Sequence, residues 1–278
     1  MSYRTIVVHL DCGQRRSERL DVAVRFAEEF DAQLIGLFAL DLYVGMPPAA
    51  DAGSILVEAE LRRREVCLGE ALAEFTRKTA RRAGGAQWLS SEEDAAREVA
   101  LAARFADLIV IGQTDPITVT EDGISASFAA DVVLTAGKPV LLVPSTGHFE
   151  AVGRHTLVAW NAAREADRAL ADSMPVLERS KVVDVVSFAE DMQPDDPDAK
   201  ARTAVKTYLK DRGINATVRR YAAEHLSPGD LILSQAFRDA ADCIVMGAHG
   251  HTRQKEKRLG GVTGTVMKAT TIPVFLSR

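Results

Sequence analysis

The chain contains 278 residues, of which 47% are hydrophobic and 26% are charged, and its formal net charge is -5. This balance is typical of a globular protein with a substantial core, and it excludes intrinsically disordered, collagen-like and disulfide-scaffold proteins. The negative charge repels polyanions, and the basic cluster at residues 253–258 lacks interleaved aromatic side chains, so no nucleic acid partner is expected.

Short apolar runs alternate with longer segments of helical period in the first half of the chain. The runs predict parallel strands, and the segments between them predict the crossover helices of βαβ units. The first helix carries an apolar stripe that indicates a core-facing side, formed by Leu20, Ala23, Val24, Ala27 and Phe30. The predicted strands are residues 5–10, 33–40, 86–90, 108–111 and 140–143.

The second half of the chain repeats the first. The segment TIVVHLD at residues 5–11 reappears as TLVAWN at residues 156–161, and two further segments recur in the same order. Such self-similarity predicts two copies of one structural unit, an N-terminal domain at residues 1–147 and a C-terminal domain at residues 151–278. The predicted strands of the second copy are residues 156–160, 182–188, 216–221, 243–246 and 274–276.

Neither a membrane segment nor a leader is predicted. No segment reaches the roughly 18 consecutive apolar residues of a membrane helix, and the N-terminus lacks the apolar core of a signal peptide. The cytoplasm is therefore the expected compartment, and no membrane partner is expected. Cys12, Cys67 and Cys243 form no CxxC pair and have no histidine at metal-ligand spacing, so all three are interpreted as free thiols, Cys243 as a buried one.

One segment is not explained by packing. It is GAHG at residues 247–250, followed by GG at residues 260–261 where the last helix is expected to begin. Glycines let the backbone approach a ligand closely, and the free amides of a helix N-terminus attract phosphate. Ligands of open parallel sheets bind at the carboxyl ends of the strands, where Asn161, Ser187 and Gly247 are expected. The second copy is therefore predicted to contain a nucleotide site, although its spacing matches neither the P-loop nor the dinucleotide fingerprint.

The spacing Gly247-x2-Gly250-x9-Gly260, set between the fourth strand and the last helix and followed by the segment IPV at residues 272–274, resembles the nucleotide-binding signature of the universal stress protein family. The resemblance covers nearly the whole chain as two tandem copies. It implies an α/β fold in which each copy has an open, twisted, five-stranded parallel sheet of Rossmann-like type, the two copies packing as a pseudo-dimer. It also implies ATP or AMP as the ligand. For the metal, two options stay open: none, or Mg²⁺ bound together with ATP.

The family's contacts can be carried over to the second copy, one position at a time. On this resemblance the base and ribose meet the ends of the first two strands, and the phosphates meet the glycine loop and the last helix. The implied residues are Ala159, Asn161 and Ser187 for the base and ribose, and Gly247, His249, Gly250, Gly260, Gly261, Val262 and Thr263 for the phosphates.

Departures from the family signature predict weak binding in the second copy and none in the first. The family usually has Ser or Thr where this chain has Gly261, and an acidic residue where it has Asn161. A hydrogen bond to a charged group contributes about 1.5 to 3 kcal/mol, so the missing hydroxyl lowers phosphate affinity about 10- to 100-fold. The first copy keeps Asp11, but Asp115 repels phosphate and Ala126 replaces the third glycine, so this copy is predicted to bind no ATP.

Other interpretations of these residues stay open. His249 and His251 have the spacing of a metal-ligand pair, although two side chains do not make a closed site. Asp11 and Asn161 are also favoured helix N-caps, and Trp160 is interpreted as a packing residue.

Three functions are open at the sequence level. The first is a stress-response regulator that binds an adenine nucleotide, the second is a nucleotide-independent interaction scaffold, and the third is a slow ATPase. No residue is assigned a catalytic role, because the glycine loop contains no carboxylate that would activate water. The apolar segment at residues 274–276 predicts a homodimer, since an exposed apolar edge strand invites pairing.

Overall fold

The fold consists of two compact α/β units, residues 2–138 and residues 139–278. The computed structural model describes residues 2–41, 44, 55–82, 85–189, 198–223, 225–248, 250–251 and 258–278.

The first unit contains a four-stranded parallel sheet. Its strands are β1 (Thr5–Leu10), β2 (Gln33–Ala39), β3 (Ala86–Ser91) and β4 (Leu108–Gly112), in the order β3-β2-β1-β4. Parallel strands that are covered on both faces are nearly continuous apolar runs, and all five residues of β4 are buried. The helices of this unit are α1 (Arg16–Glu29), α2 (Ile55–Thr79), α3 (Ala95–Ala102), α4 (Val119–Asp122) and α5 (Phe128–Thr135).

The second unit contains a six-stranded sheet. Its strands are β5 (Val140–Val143), β6 (His155–Ala159), β7 (Val182–Ala189), β8 (Ala216–Ala222), β9 (Cys243–Gly247) and β12 (Val274–Ser277), in the order β5-β12-β9-β6-β7-β8. All neighbours are parallel except β5 and β12. Two short strands, β10 (Gly250–His251) and β11 (Arg258–Leu259), form a separate antiparallel pair. The helices are α6 (Arg164–Asp172), α7 (Met174–Leu177), α8 (Ala199–Lys210), α9 (Pro228–Arg238) and α10 (Gly261–Ala269).

The direction of the strand order reverses beside β6. This strand pairs with β7 on one side and with β9 on the other. At such a switch point the loops that follow the central strands diverge and leave a crevice at the carboxyl ends of the strands. The first unit has the same arrangement, with β1 between β2 and β4. The fold therefore provides one potential ligand crevice in each unit.

The expected α/β class with a mostly parallel sheet is confirmed, but the units contain four and six strands instead of five each. The ten predicted strands correspond to β1–β9 and β12, and each strand end lies within one residue of its predicted position. Helix α9 begins at an N-cap, because Ser227 Oγ accepts a hydrogen bond from the backbone amide of Asp230 at 3.2 Å and Pro228 occupies the first turn.

Strand β5 departs from the predicted domain organisation. The sequence places residues 140–143 in the first copy, but β5 belongs to the second compact unit and lies antiparallel to β12, with Leu141 opposite Phe275. Because β12 also pairs with β9, it has a neighbour on each side. The free apolar edge that motivated the homodimer prediction is thus covered within the chain, and the homodimer itself stays a prediction.

The prediction of three free thiols is wrong for two of the cysteines. Cys12, which follows β1, and Cys67, in α2, form a disulfide with their Cα atoms 5.6 Å apart. No sequence pattern signals this pair, because a separation of 55 residues is bridged only by tertiary packing. Cys243 is free and buried as predicted, and its burial raises the pKa of the thiol.

Candidate functional site

A cavity of about 500 Å³ opens at the carboxyl ends of β6, β7 and β9 in the second unit. It lies at the switch point beside β6, and its walls also include the start of α6, the start of α9 and the N-terminus of α10. The lining residues are Ala159, Trp160, Asn161, Ala163, Glu165, Ala166, Val186, Ser187, Phe188, Ala223, Pro228, Ile232, Met246, Gly247, Gly260, Gly261, Val262 and Thr263.

Most of the predicted site residues meet at this cavity. Gly250 lies in β10, and its relation to the cavity is not described, while His249 falls outside the described residues. Residues 252–257 of the basic cluster also fall outside them. The eight predicted residues in the lining are Ala159, Asn161, Ser187, Gly247, Gly260, Gly261, Val262 and Thr263.

Gly247 stands where only glycine fits. A Cβ atom at this position would lie 2.5 Å from the carbonyl carbon of Glu165 and 2.6 Å from the amide nitrogen of Ala166. The end of β9 therefore packs backbone to backbone against the first turn of α6. Close packing of strand and helix requires this glycine, whether or not a ligand is bound.

Helix α10 presents its N-terminus to the cavity. Gly260 is the N-cap, and Gly261, Val262 and Thr263 form the first turn. The amides of a first turn have no partner within their helix and lie at the positive end of the helix dipole. A Cβ atom at Gly261 would meet nothing within 4 Å, so there is open space beside these amides.

Asn161 and Ser187 contribute polar side chains to the lining. Asn161 Oδ1 accepts a hydrogen bond from the backbone amide of Ala163 at 3.2 Å, a local turn, and the N-cap of α6 is Ala163 rather than Asn161. The Ser187 hydroxyl oxygen is buried and has no hydrogen-bond partner within the described part of the chain. A buried polar group without a partner costs about 1 to 3 kcal/mol, so a ligand atom that bonds Ser187 gains that free energy.

The apolar wall of the cavity was not predicted from the sequence. It includes Val186, Phe188, Ile232 and Met246, whose residue types alone are indistinguishable from those of an ordinary core. Trp160, interpreted as a packing residue, is 4% exposed and also lines the cavity, so its side chain serves both purposes. Their positions at or next to the carboxyl ends of strands were the signal that could have identified Val186, Phe188, Met246 and Trp160.

The charge of the lining is unusual for a site that would take a phosphate. Of the described lining residues, only Glu165 has an ionisable side chain, a carboxyl group. Among the described lining residues, the first-turn amides of α10 are the groups that attract an anionic ligand.

The equivalent place in the first unit is filled by Arg19. When Asp11 is aligned with Asn161, Arg19 corresponds to Ala169. The Arg19 guanidinium lies 2.8 Å from Asp11 Oδ1, and both side chains are at most 5% exposed. A Cβ atom at Gly112, the last residue of β4, would collide with that guanidinium. The protein's own ion pair thus occupies the space above β4.

The prediction that the first copy binds no ATP was based on Asp115 and Ala126. These two residues contribute less to closing the site than Arg19 does. Asp115 Oδ1 accepts a hydrogen bond from the backbone amide of Ile117 at 2.9 Å, and Ala126 is exposed. Asp11 is not an N-cap, because its carboxylate bonds the amide of Gly13 at 3.0 Å and α1 begins only at residue 16. An arginine beside the apolar stripe of α1 looks like a surface residue in the sequence, so its burial was missed.

Burial also shifts the protonation of groups beside this ion pair. His9 is fully buried, and burial lowers its pKa to about 4. Its Nε2 lies 2.8 Å from the carbonyl oxygen of Ala39, so the neutral ring donates there and directs Nδ1 toward Asp11. Burial alone raises the pKa of Asp11, but Arg19, His9 and hydrogen bonds outweigh it and hold that pKa below its usual range.

The described residues contain no group of three or more His, Cys, Asp or Glu that could hold a metal ion. The His249 and His251 pair is untested, since the first residue and the side chain of the second fall outside the description. The described helices also include none with the length and apolarity needed to cross a bilayer.

Residues 154–278 match the model of the universal stress protein family. A crystal structure from this family, of a Burkholderia pseudomallei protein, is 30% identical over 51% of this chain and 97% of its own length, with a TM-score of 0.35. The chain belongs to the universal stress protein family. A universal stress protein from Archaeoglobus fulgidus DSM 4304 is similar in fold across both copies, with 16% identity, coverage of 99% of this chain and 96% of its own, and a TM-score of 0.71. No match was found among curated protein sequences.

Proposed function

We propose that the cavity of the second unit binds an adenine nucleotide, ATP or AMP, and that this universal stress protein uses the binding in a cytoplasmic stress response. The observation that carries the proposal is the convergence of Asn161, Ser187 and the α10 N-terminus on one cavity at a strand switch point. A cavity of about 500 Å³ also falls within the usual range for small-molecule sites.

The apolar and polar groups of the lining suit the base and the phosphates of a nucleotide. Val186, Phe188 and Ile232 offer an apolar wall for a purine base, while the unpartnered Ser187 hydroxyl and the exposed Asn161 amide supply hydrogen bonds to the base or ribose. The phosphate end belongs at α10, because its first-turn amides attract an anion. This polarity gives the nucleotide one orientation.

One nucleotide per chain is expected. In the first unit the Arg19 guanidinium fills the space above Gly112, and the Asp11 carboxylate there is already paired. A ligand would have to displace a buried ion pair and leave each charge without its partner, which costs several kcal/mol.

The first experiment is to denature freshly purified full-length protein and identify the released small molecule, followed by calorimetric titration with AMP, ADP and ATP. The expected yield is one nucleotide per chain. Trp160 lines the cavity, so binding should also change its fluorescence in a Trp88→Phe background, which removes the other tryptophan of the chain.

A matched pair of substitutions tests the location. Ala159→Leu adds a side chain inside the cavity and should abolish binding, while Ala222→Leu, at an exposed position of β8, should leave binding intact. Two equivalent nucleotides per chain, or binding that survives Ala159→Leu, would contradict the proposed site. If no nucleotide is released and millimolar ATP gives neither heat nor a fluorescence change, the scaffold function takes its place.

A further inference from the structure

The Cys12–Cys67 disulfide lies beside a partly buried cation, the Arg16 guanidinium. Arg16 Nη1 is 3.5 Å from Cys67 Sγ, and the same group donates a hydrogen bond to the carbonyl oxygen of Asp11 at 3.0 Å. The guanidinium is held from its other side by Glu74, with Arg16 Nε 3.4 Å from Oε2. Arg16 therefore has a fixed place between the end of β1 and the sulfur in α2.

The two sulfurs differ in their access to solvent. Cys67 is only 6% exposed, whereas Cys12 lies in the partly exposed loop after β1. A dissolved thiol therefore reaches Cys12 first. A cation next to a cysteine stabilises its thiolate, and a stabilised thiolate is the better leaving group in thiol–disulfide exchange. The exposure of Cys12 and the position of Arg16 beside Cys67 thus both favour attack on Cys12, with Cys67 as the leaving group.

We propose that Cys12 and Cys67 form a reversible redox site that exchanges with low-molecular-weight thiols such as glutathione. In the first step a thiolate attacks Cys12 Sγ, a mixed disulfide forms there, and the electron pair of the broken S–S bond leaves on Cys67 as a thiolate facing Arg16. In the second step another thiolate attacks the sulfur of the bound small molecule. The small disulfide departs and Cys12 becomes a thiolate, so two electrons reduce the protein while two thiols are oxidised.

The location gives the reaction a structural consequence. Cys12 belongs to the loop between β1 and α1, which corresponds in the repeat to the loop of Asn161 that lines the cavity of the second unit. The backbone amide of Cys12 also donates to the carbonyl oxygen of Asp122 at 3.2 Å, which ties the loop to α4. Reduction releases this loop from α2, next to the buried Asp11 carboxylate.

The test uses full-length protein equilibrated in buffers of varied reduced and oxidised glutathione, quenched by alkylation and analysed by mass spectrometry. Two thiols per chain should appear together as the proportion of reduced glutathione rises, and both should disappear again when oxidised glutathione is restored. A disulfide that no proportion of reduced glutathione opens without a denaturant would overturn the proposal.

Single substitutions test the roles of the three residues. Cys67→Ser should leave Cys12 forming a mixed disulfide with glutathione, and Cys12→Ser should make the remaining Cys67 react at least about tenfold more slowly, because it is buried. Arg16→Gln should slow reduction of the intact disulfide about three- to tenfold through the poorer leaving group. Arg62→Gln, an exposed position of α2, is the control. Equal reactivity of the two cysteines, or a reduction rate unchanged by Arg16→Gln, would count against the mechanism.

Discussion

Restoring a hydroxyl at the start of α10 should strengthen nucleotide binding. The substitution is Gly261→Ser, at a position that lines the cavity and where an added Cβ atom meets nothing within 4 Å. The serine side chain therefore fits without moving any neighbour. It lies in the first turn of the helix, next to the amides that the proposed phosphate contacts.

The size of the effect follows from the type of bond that is added. A hydrogen bond from a hydroxyl to a charged group contributes about 1.5 to 3 kcal/mol, which corresponds to about 10- to 100-fold in affinity. Gly261 is exposed, and water competes for such a bond, so the lower end of about tenfold is expected. Replacing glycine by serine in a helix also raises the free energy of unfolding by about 0.5 kcal/mol, independently of any ligand.

Gly264→Ser separates these two contributions. Gly264 lies in the same helix, also has open space within 4 Å of where a Cβ atom would be added, and is not part of the cavity lining. Calorimetric titration with ATP and AMP should give about tenfold tighter binding for Gly261→Ser and unchanged binding for Gly264→Ser, with similar thermal stability in both. Equal affinities for the two variants would refute the assignment of phosphate to the α10 N-terminus.

Three further predictions concern the stability of the first unit, measured by urea unfolding. Removing the 55-residue cross-link with Cys67→Ser should lower the free energy of unfolding by about 4 kcal/mol, and no loss would mean that the unfolded chain gains no freedom. His9 binds fewer protons in the folded than in the unfolded state between pH 6.5 and about 4, so stability should fall by about 3 kcal/mol as pH is lowered through this range. The loss should be absent in His9→Gln and present in the exposed control His148→Gln. Arg19→Ala should cost about 3 to 5 kcal/mol by leaving a buried carboxylate, and adding Asp11→Asn should recover part of it; additive losses would show that the pair is not coupled.

The fold could be predicted from the sequence because its information is local. Each strand is a short apolar run with its own boundaries, and the Ser227 cap of α9 depends on a few neighbouring residues. The repeat added independent support, since the same order of elements appears twice. Local patterns of this kind survive folding with little change.

The candidate site could be predicted only in part, because the remainder depends on tertiary contacts. The glycines and Asn161 follow from strand ends and spacing, but the apolar wall that includes Phe188 does not, since a cavity wall and a core have the same composition. Arg19 and the Cys12–Cys67 pair were missed for a related reason. The partners of these residues lie on other helices and strands, and no sequence pattern predicts which of these elements contact each other.

The antiparallel pairing of β5 with β12 has a practical consequence for expressing the second half of the chain alone. A fragment that begins at the predicted domain boundary, residue 151, lacks β5 and leaves the backbone groups and apolar side chains of β12 at an open sheet edge. Exposed edges of this kind template aggregation. A fragment that begins at residue 139 keeps β5 against β12, so β12 retains both of its neighbouring strands in that fragment.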